Sequence, residues 1–235
     1  EPELLAQADK FLMMPDLFAY FLTGEMKEEA SIASTSNLLN PNTKDWDFEL
    51  IEKLGLDKKL FAPIVKSGSI YGYLSDDICN ELGCKKVPVV AVCSHDTASA
   101  VAATPTSAED FVYISCGTWS LFGIESKTPF LSDEAYKADF TNEGGFDGTI
   151  RFLKNIMGLW LIQESRRQWR REGIEVGFDT LEKEALASEP FKCFINVDDP
   201  MFETAGNLPK RVLEFCEKTG QYVPETRGEI MRCIY

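Results

Sequence analysis

Asp96 stands where an apolar, β-branched run, Val87 to Val92, gives way to the small polar group Cys93-Ser94-His95-Asp96-Thr97 and then to an alanine-rich helical segment. A polar cluster at the carboxyl end of a buried strand is where open α/β sheets bind ligands. The positive end of a helix keeps a carboxylate ionised, and an ionised carboxylate can take a proton from a hydroxyl, the work of the base in phosphoryl transfer. The competing assignment is structural, because an Asp at a helix start also satisfies free amides as a cap. Ser94 is available to cap instead, with Thr97 as a neighbouring hydroxyl, which would leave Asp96 facing a cleft.

His95 is the only histidine in the chain. Its position between Ser94 and Asp96 does not make a nucleophilic triad, since neighbouring side chains at a strand end diverge and a triad needs three converging groups. Two roles stay open for it: a hydrogen bond to a ligand hydroxyl, or a packed ring bonded to backbone. Further on, Phe111 to Ser115 reads as a second strand running into Cys116-Gly117-Thr118-Trp119-Ser120, with Leu121 to Ser126 returning as the other arm of a hairpin. A glycine there lets backbone N–H groups converge on an anion, although one-glycine hairpin turns are common without any ligand. Cys116 lacks a second histidine to activate it and reads as a small buried residue. A helix is expected from Asn155 to Arg171, with Asn155, Leu159 and Gln163 on one stripe. Its two amides would stand about 12 Å apart along the axis, able to touch separated parts of a long ligand or simply edging a buried stripe of Ile156, Leu159, Trp160 and Ile162.

The elements that must hold these groups are legible in outline. Leu4 to Phe21 reads as helical, broken at Met13-Met14-Pro15-Asp16, with Pro15 starting a second helix that ends at Thr23-Gly24. Trp46 to Leu54 reads as an amphipathic helix closed by Gly55, and Asp76 to Leu82 as a helix ended by Gly83. Asp139 to Phe152 suggests strands around Gly144-Gly145 and Asp147-Gly148. Arg166, Arg167, Arg170 and Arg171 suit the negative end of a helix dipole and read as solvated. Helices are expected over Leu208 to Lys218 and from Thr226 onward. The polar, proline-bearing segment 104–110 separates two strand-like runs and is the expected domain boundary and hinge, dividing the chain into 1–107 and 108–235.

With 24 Lys plus Arg against 38 Asp plus Glu, the net charge of -14 opposes generic binding to nucleic acid or anionic membranes. A small-molecule ligand is expected instead. Seven widely spaced cysteines without a C-x-x-C pair argue against a disulfide scaffold or zinc ribbon and for a reducing, cytoplasmic setting. One histidine excludes a His-rich metal site. No P-loop and no G-x-G-x-x-G after a strand is present.

The strings MMPDLFAYFLTG, SHDTASAVAATP, YISCGTWSLFGIES, TNEGG and LKNIMGLWLIQ, in this order, resemble the FGGY family of carbohydrate kinases. The resemblance implies a two-domain actin-like (RNase H-like) α/β fold, present here only in part, closing over a cleft with ATP and Mg²⁺ on one side and a ketose on the other. It implies phosphorylation of the ketose at O1, with Asp96 as base, His95 and Thr97 beside it in the sugar site, and Asn155 contacting the sugar. Gly117 would make the phosphate turn, and Thr118 and Gln163 match nucleotide-binding positions. Residues 1–107 would be the later part of the sugar-binding domain and 108–235 the earlier part of the nucleotide-binding domain, so that this stretch alone is expected to be inactive. Cys116 departs from the pattern, standing where many relatives have Ser.

Overall fold

The computed structural model describes residues 2–108 and 110–235; Glu1, and Glu109 within the expected boundary segment, lie outside them. The chain divides into two compact units, one of Glu1–Ser115 with Phe122–Lys154, the other of Cys116–Leu121 with Asn155–Tyr235. This division runs differently from the expected 107/108 break, because the strands that follow the Gly117 turn return to the first unit.

In the first unit, α1 (Pro2–Gln7) precedes α2 (Met14–Thr23), which carries Pro15 in its first turn and stops where Gly24, at φ 78°, donates its N–H to the Tyr20 carbonyl. Then come β1 (Glu28–Glu29), α3 (Ala30–Ser34) and a short antiparallel pair, β2 (Leu39–Asn40) with β3 (Asp45–Trp46). Trp46 therefore ends a strand instead of opening a helix; α4 (Phe48–Lys53) begins only after Asp47, whose side chain caps it. The reason is tertiary. The Trp46 indole is buried with Ile51, Leu60 and Phe61, and its Nε1 donates to the Ala62 carbonyl at 2.7 Å. Next, β4 (Ile64–Val65) lies parallel to β1, followed by β5 (Ile70–Tyr73) and α5 (Asp76–Leu82), the latter between a Ser75 cap and left-handed Gly83. Strand β6 (Pro88–Val90) pairs antiparallel with β5 and leads to α6 (Asp96–Ala102). The apolar run here is not a buried strand: Val87, Val90 and Val92 are all about half exposed or more, since β6 has β5 as its one strand neighbour among the described residues.

A four-stranded sheet follows in the order β7 (Val112–Cys116), β8 (Trp119–Ser126), β10 (Ile150–Met157), β9 (Phe140–Gly144), with α7 (Asp133–Lys137) between β8 and β9. The β9–β10 turn passes through Asp147 and Gly148, both at positive φ, as the Asp-Gly pair predicts. Gly123 is required by packing, because a Cβ there would lie 2.6 Å from the Phe152 carbonyl oxygen and 2.7 Å from the Leu153 Cβ.

The second unit is helical. It comprises α8 (Trp160–Arg171), α9 (Phe178–Ala187), α10 (Leu208–Lys218) and α11 (Arg227–Ile234) around a core that includes Leu161, Trp169, Leu181, Phe202, Val212 and Met231. Burying each of these large side chains contributes about 1.5–3 kcal/mol. Helix α11 starts in a reciprocal capping box between Thr226 and Glu229. The arginines at the end of α8 are not merely solvated: Arg167 and Arg171 each reach the buried Glu164 carboxylate at 3.1 Å, and Arg166 donates to the Val176 carbonyl while stacking on Phe178. Among the described residues no helix is long and apolar enough to cross a membrane.

Candidate active site

Asp96 occupies the first turn of α6, and its side chain is 98% exposed. Ser94 does not cap the helix as expected; its hydroxyl donates to the Val92 carbonyl, and the cap position falls to His95, whose side chain makes no capping bond. Asp96 is free for a different reason. Among the described residues its Oδ1 accepts the adjacent Thr97 N–H at 2.7 Å and a long 3.5 Å contact from the Thr97 hydroxyl and stands 3.6 Å from His95 Nδ1, with the rest of the carboxylate in solvent.

What aims the elbow is a group that the sequence does not single out. Glu29 is fully buried at the β1–α3 junction. Its carboxylate accepts from the Ser31 hydroxyl, the Ser67 hydroxyl at 2.8 Å, the Ser94 N–H at 3.0 Å and the Ile32 N–H at 3.3 Å. The Ser31 hydroxyl in turn accepts the His95 N–H at 3.2 Å. Two successive amides of the elbow, immediately before Asp96, are thereby tied to another element. Behind them, Asp16 accepts from the Glu29 N–H at 3.0 Å and from the Tyr71 hydroxyl, and Glu28 accepts the Met13 N–H. Burial, reinforced by Asp16, pushes the Glu28 carboxyl up to about 9, so Glu28 is protonated at neutral pH.

The His95 side chain is four-fifths covered, and burial followed by the Arg151 charge lowers its pKa, so the imidazole is neutral at pH 7. Among the described residues its Nδ1 has no hydrogen-bond partner, and Nε2 stands 3.9 Å from Glu143 Oε2, too far for a bond. Glu143 is instead held by the fully buried Arg151, whose Nη2 donates to it at 2.8 Å while Nε donates to the Gly144 carbonyl at 3.1 Å. Thr97 is buried beside Asp96. In the sequence, Arg151 lies inside an apolar strand and Glu143 inside a glycine turn; neither pattern marks a site. A cleft of about 660 Å³ in the same unit is lined by Ser34, Lys44, Tyr136 and Gly145 among others, but not by Asp96 or His95.

The remaining expected residues belong to the second unit. Thr118 is exposed in the β7–β8 turn, whose carbonyls are used by the start of α8: Gly117 O accepts from Leu159 N at 3.0 Å, and Thr118 O accepts from Trp160 N at 3.1 Å. The Gly117 amide is not open to an anion, because it donates to the Trp119 carbonyl at 2.9 Å. Gly158 is the glycine the contact demands; a Cβ there would lie 2.4 Å from Ser120 Oγ and 2.8 Å from Gly117 O. Asn155 and Gln163 do not share a helical stripe. Asn155 is exposed near the end of β10, α8 begins at Trp160, and Gln163 lies one turn into it. Strand pairing overrides the helical pattern here, since β10 buries Ile150, Leu153 and Met157 between β8 and β9.

The fold so assembled is that of a sugar kinase. It matches the crystal structure of xylulose kinase from Rhodospirillum rubrum at a TM-score of 0.72 over 100% of this chain and 46% of that one, with 18% identity. It also matches ligand-bound xylulose kinase from Lactobacillus acidophilus at 0.66 over 80% of this chain and 37% of that one, with 16% identity. Residues 1–103 match the N-terminal domain, and residues 112–235 the C-terminal domain, of the FGGY family of carbohydrate kinases, to which the chain belongs. Its curated relatives include the rhamnulokinases of Bacteroides thetaiotaomicron, 43% identical over 98% of this chain, and Enterococcus faecalis, 43% identical over all of it. In both cases the chain spans 47% of the relative's length.

Proposed function

We propose that this chain supplies the proton-accepting side and part of the nucleotide-binding side of an ATP-dependent ketose kinase that converts L-rhamnulose to L-rhamnulose 1-phosphate. The observation that carries the reading is Asp96: an almost wholly exposed carboxylate at a helix start, on an elbow whose Ser94 and His95 amides donate to buried Glu29 and Ser31 respectively. Asp96 takes the proton from the ketose O1 hydroxyl as that oxygen attacks the γ-phosphorus of ATP. Neutral His95, with an unpaired ring nitrogen, hydrogen-bonds a sugar hydroxyl; Thr97 supports Asp96, and Asn155 contacts the sugar. The Gly117-Thr118 turn and Gln163 serve the nucleotide. Because the Gly117 amide is already used, its part in the turn is to allow the backbone path, and the Thr118 hydroxyl is the group presented.

Mg²⁺ would accompany the ATP phosphates, where it offsets their charge. L-Rhamnulose is favoured over L-fuculose or L-xylulose because the relatives at 43% identity are rhamnulokinases.

The test is ADP release with a panel of these three ketoses by protein containing this chain, compared with Asp96→Asn. L-Rhamnulose is expected to give the highest kcat/KM, and Asp96→Asn to lower kcat by at least about 10²-fold, the scale of general-base catalysis. A largely active variant overturns the base assignment, and preference for another ketose overturns the substrate. Calorimetry with ATP and Mg²⁺ separates a kinase from a binding module that does not engage nucleotide.

A further inference from the structure

Beside the Asp96 elbow lies a charged pair whose arrangement serves more than packing. Glu143 and Arg151 stand opposite each other in the register of β9 and β10, Glu143 mostly buried and Arg151 fully so. Arg151 Nη1 has no hydrogen-bond partner among the described residues, and a buried ion pair that leaves a donor unsatisfied is a poor source of stability. The pair has a different use. Glu143 Oε2, the oxygen that accepts from Arg151 Nη2, is also the one that faces His95 Nε2 at 3.9 Å. Helix α3 fixes both sides of that gap: Ser31 Oγ accepts the His95 N–H at 3.2 Å, and Ser34 Oγ accepts the N–H of Gly144, next to Glu143, at 2.8 Å.

We propose that Glu143, held by Arg151, is a positioning residue for His95: it accepts a hydrogen bond from Nε2–H and so leaves Nδ1 bare, an acceptor on the Asp96 side of the ring. A neutral imidazole carries one N–H and one bare nitrogen, and the bond made by one decides the state of the other. Two carboxylates compete for the single proton, since Asp96 Oδ1 stands 3.6 Å from Nδ1. Asp96 is almost wholly exposed, so water screens its pull, whereas Glu143 acts across a mostly buried gap where a charge counts for more. Of the two, Glu143 does more to hold a proton on His95. A carboxylate oxygen accepts more than one hydrogen and the His χ2 torsion is broad, so a turn of the ring closes the gap to a bond while Oε2 keeps Arg151. Such contacts tighten when a ligand completes the site. The consequence rests on the kinase reading above. A bare Nδ1 accepts a hydrogen from the sugar hydroxyl presented to Asp96 and, once that proton has passed to Asp96, from the Asp96 carboxyl. The other tautomer would donate to ionised Asp96 and make it a weaker base.

The tautomer is read by ring-nitrogen NMR, at neutral pH, of protein containing this chain with isotope-labelled histidine; the His95 signal is the one lost in His95→Gln. A protonated ring nitrogen resonates far from a bare one, and couplings to the ring C–H protons tell Nε2 from Nδ1. The wild type is expected to carry the proton on Nε2. Because a free imidazole already leans that way, the deciding comparison is Glu143→Leu, in which the proton is expected to appear on Nδ1, toward Asp96. Should the stranded Arg151 prevent folding, Glu143→Leu with Arg151→Met removes both halves of the pair, a change that folding tolerates better. Glu143→Gln keeps an oxygen able to accept from both Arg151 and Nε2 and is expected to keep the wild-type tautomer. A wild type protonated on Nδ1 overturns the proposal, as does a tautomer that loss of Glu143 does not move. With L-rhamnulose, the Leu variant is expected to lose about 10-fold in kcat/KM, the scale of one hydrogen bond; that loss with an unmoved tautomer is structural damage and also overturns it. The NMR result needs no turnover, so failure of the kinase reading, seen as no ADP from any ketose, is told apart from failure of this one.

Discussion

Replacing Glu29 separates a carboxylate that organises the Asp96 elbow from one that is merely buried. Its two oxygens serve four donors unequally. One takes the Ser31 hydroxyl, the Ile32 N–H and the Ser94 N–H, and the other takes the Ser67 hydroxyl alone. Glu29→Gln can place its remaining oxygen toward the first three and its NH₂ toward Ser67, whose hydroxyl can turn to accept. The loss is then one charge-assisted component, about 1 kcal/mol. Glu29→Ala leaves both backbone amides and the Ser31 hydroxyl without this acceptor in a buried place. At about 1–3 kcal/mol for each unsatisfied group, with part recovered by relaxation or an entering water, the cost is about 3–5 kcal/mol. Urea unfolding of wild type, Glu29→Gln and Glu29→Ala reads the difference, and ADP release reads the consequence for Asp96. On the proposed role of Asp96 as base, activity is expected to fall in the order of lost stability, with kcat falling more than KM rises, because the elbow that carries Asp96 loses its anchor first. Equal stability of the Ala and Gln variants refutes the reasoning. So does a folded Glu29→Ala protein with undiminished kcat.

Glu28 gives a pH test. Its carboxyl is protonated in the folded chain up to about 9 but ionises near 4.5 when unfolded, so the folded state binds more protons between these values and wild-type stability falls as pH rises through that window, by at most about 1.4 kcal/mol per pH unit. Glu28→Gln cannot ionise and should flatten the urea midpoint between pH 5 and pH 9; an unchanged slope assigns the dependence elsewhere. Gly158→Ala places a Cβ 2.4 Å from Ser120 Oγ and 2.8 Å from the Gly117 carbonyl oxygen, so the β7–β8 turn must move; a loss of about 1–3 kcal/mol in unfolding free energy and, on the proposed nucleotide role of that turn, weaker ATP binding by calorimetry are expected, and unchanged values for both would show that the turn yields freely. Arg227 forms a two-pronged pair with Glu184 that joins α11 to α9 while both side chains stay about 30% exposed; a double-mutant cycle should give a coupling of about 1 kcal/mol, and zero coupling would remove the pair from the stability of this unit.

Much of the local structure is set by the sequence acting on itself. Pro15 and Gly24 bound α2, Ser75 and Gly83 bound α5, and Thr226 with Glu229 starts α11, because caps and left-handed glycines are satisfied within a few residues. The order of the strings around Asp96, Gly117 and Gln163 likewise sufficed to place the chain in its family. Tertiary structure decided the rest. Asn155 lies in a strand because β10 runs on to Met157 beside β8, and that pairing outweighs a helical pattern that is equally satisfied on paper. Glu28 and Glu29 look like a solvated charge run, yet they are buried where distant hydroxyls and amides supply partners, a fact that no window around them contains. The apolar run before Asp96 reads as a strand buried on both faces, yet Val87, Val90 and Val92 are exposed while Ala91 packs with Ala19 and Tyr71, since burial depends on what packs over each face. In each case the deciding partner lies far along the chain, and only folding brings it near.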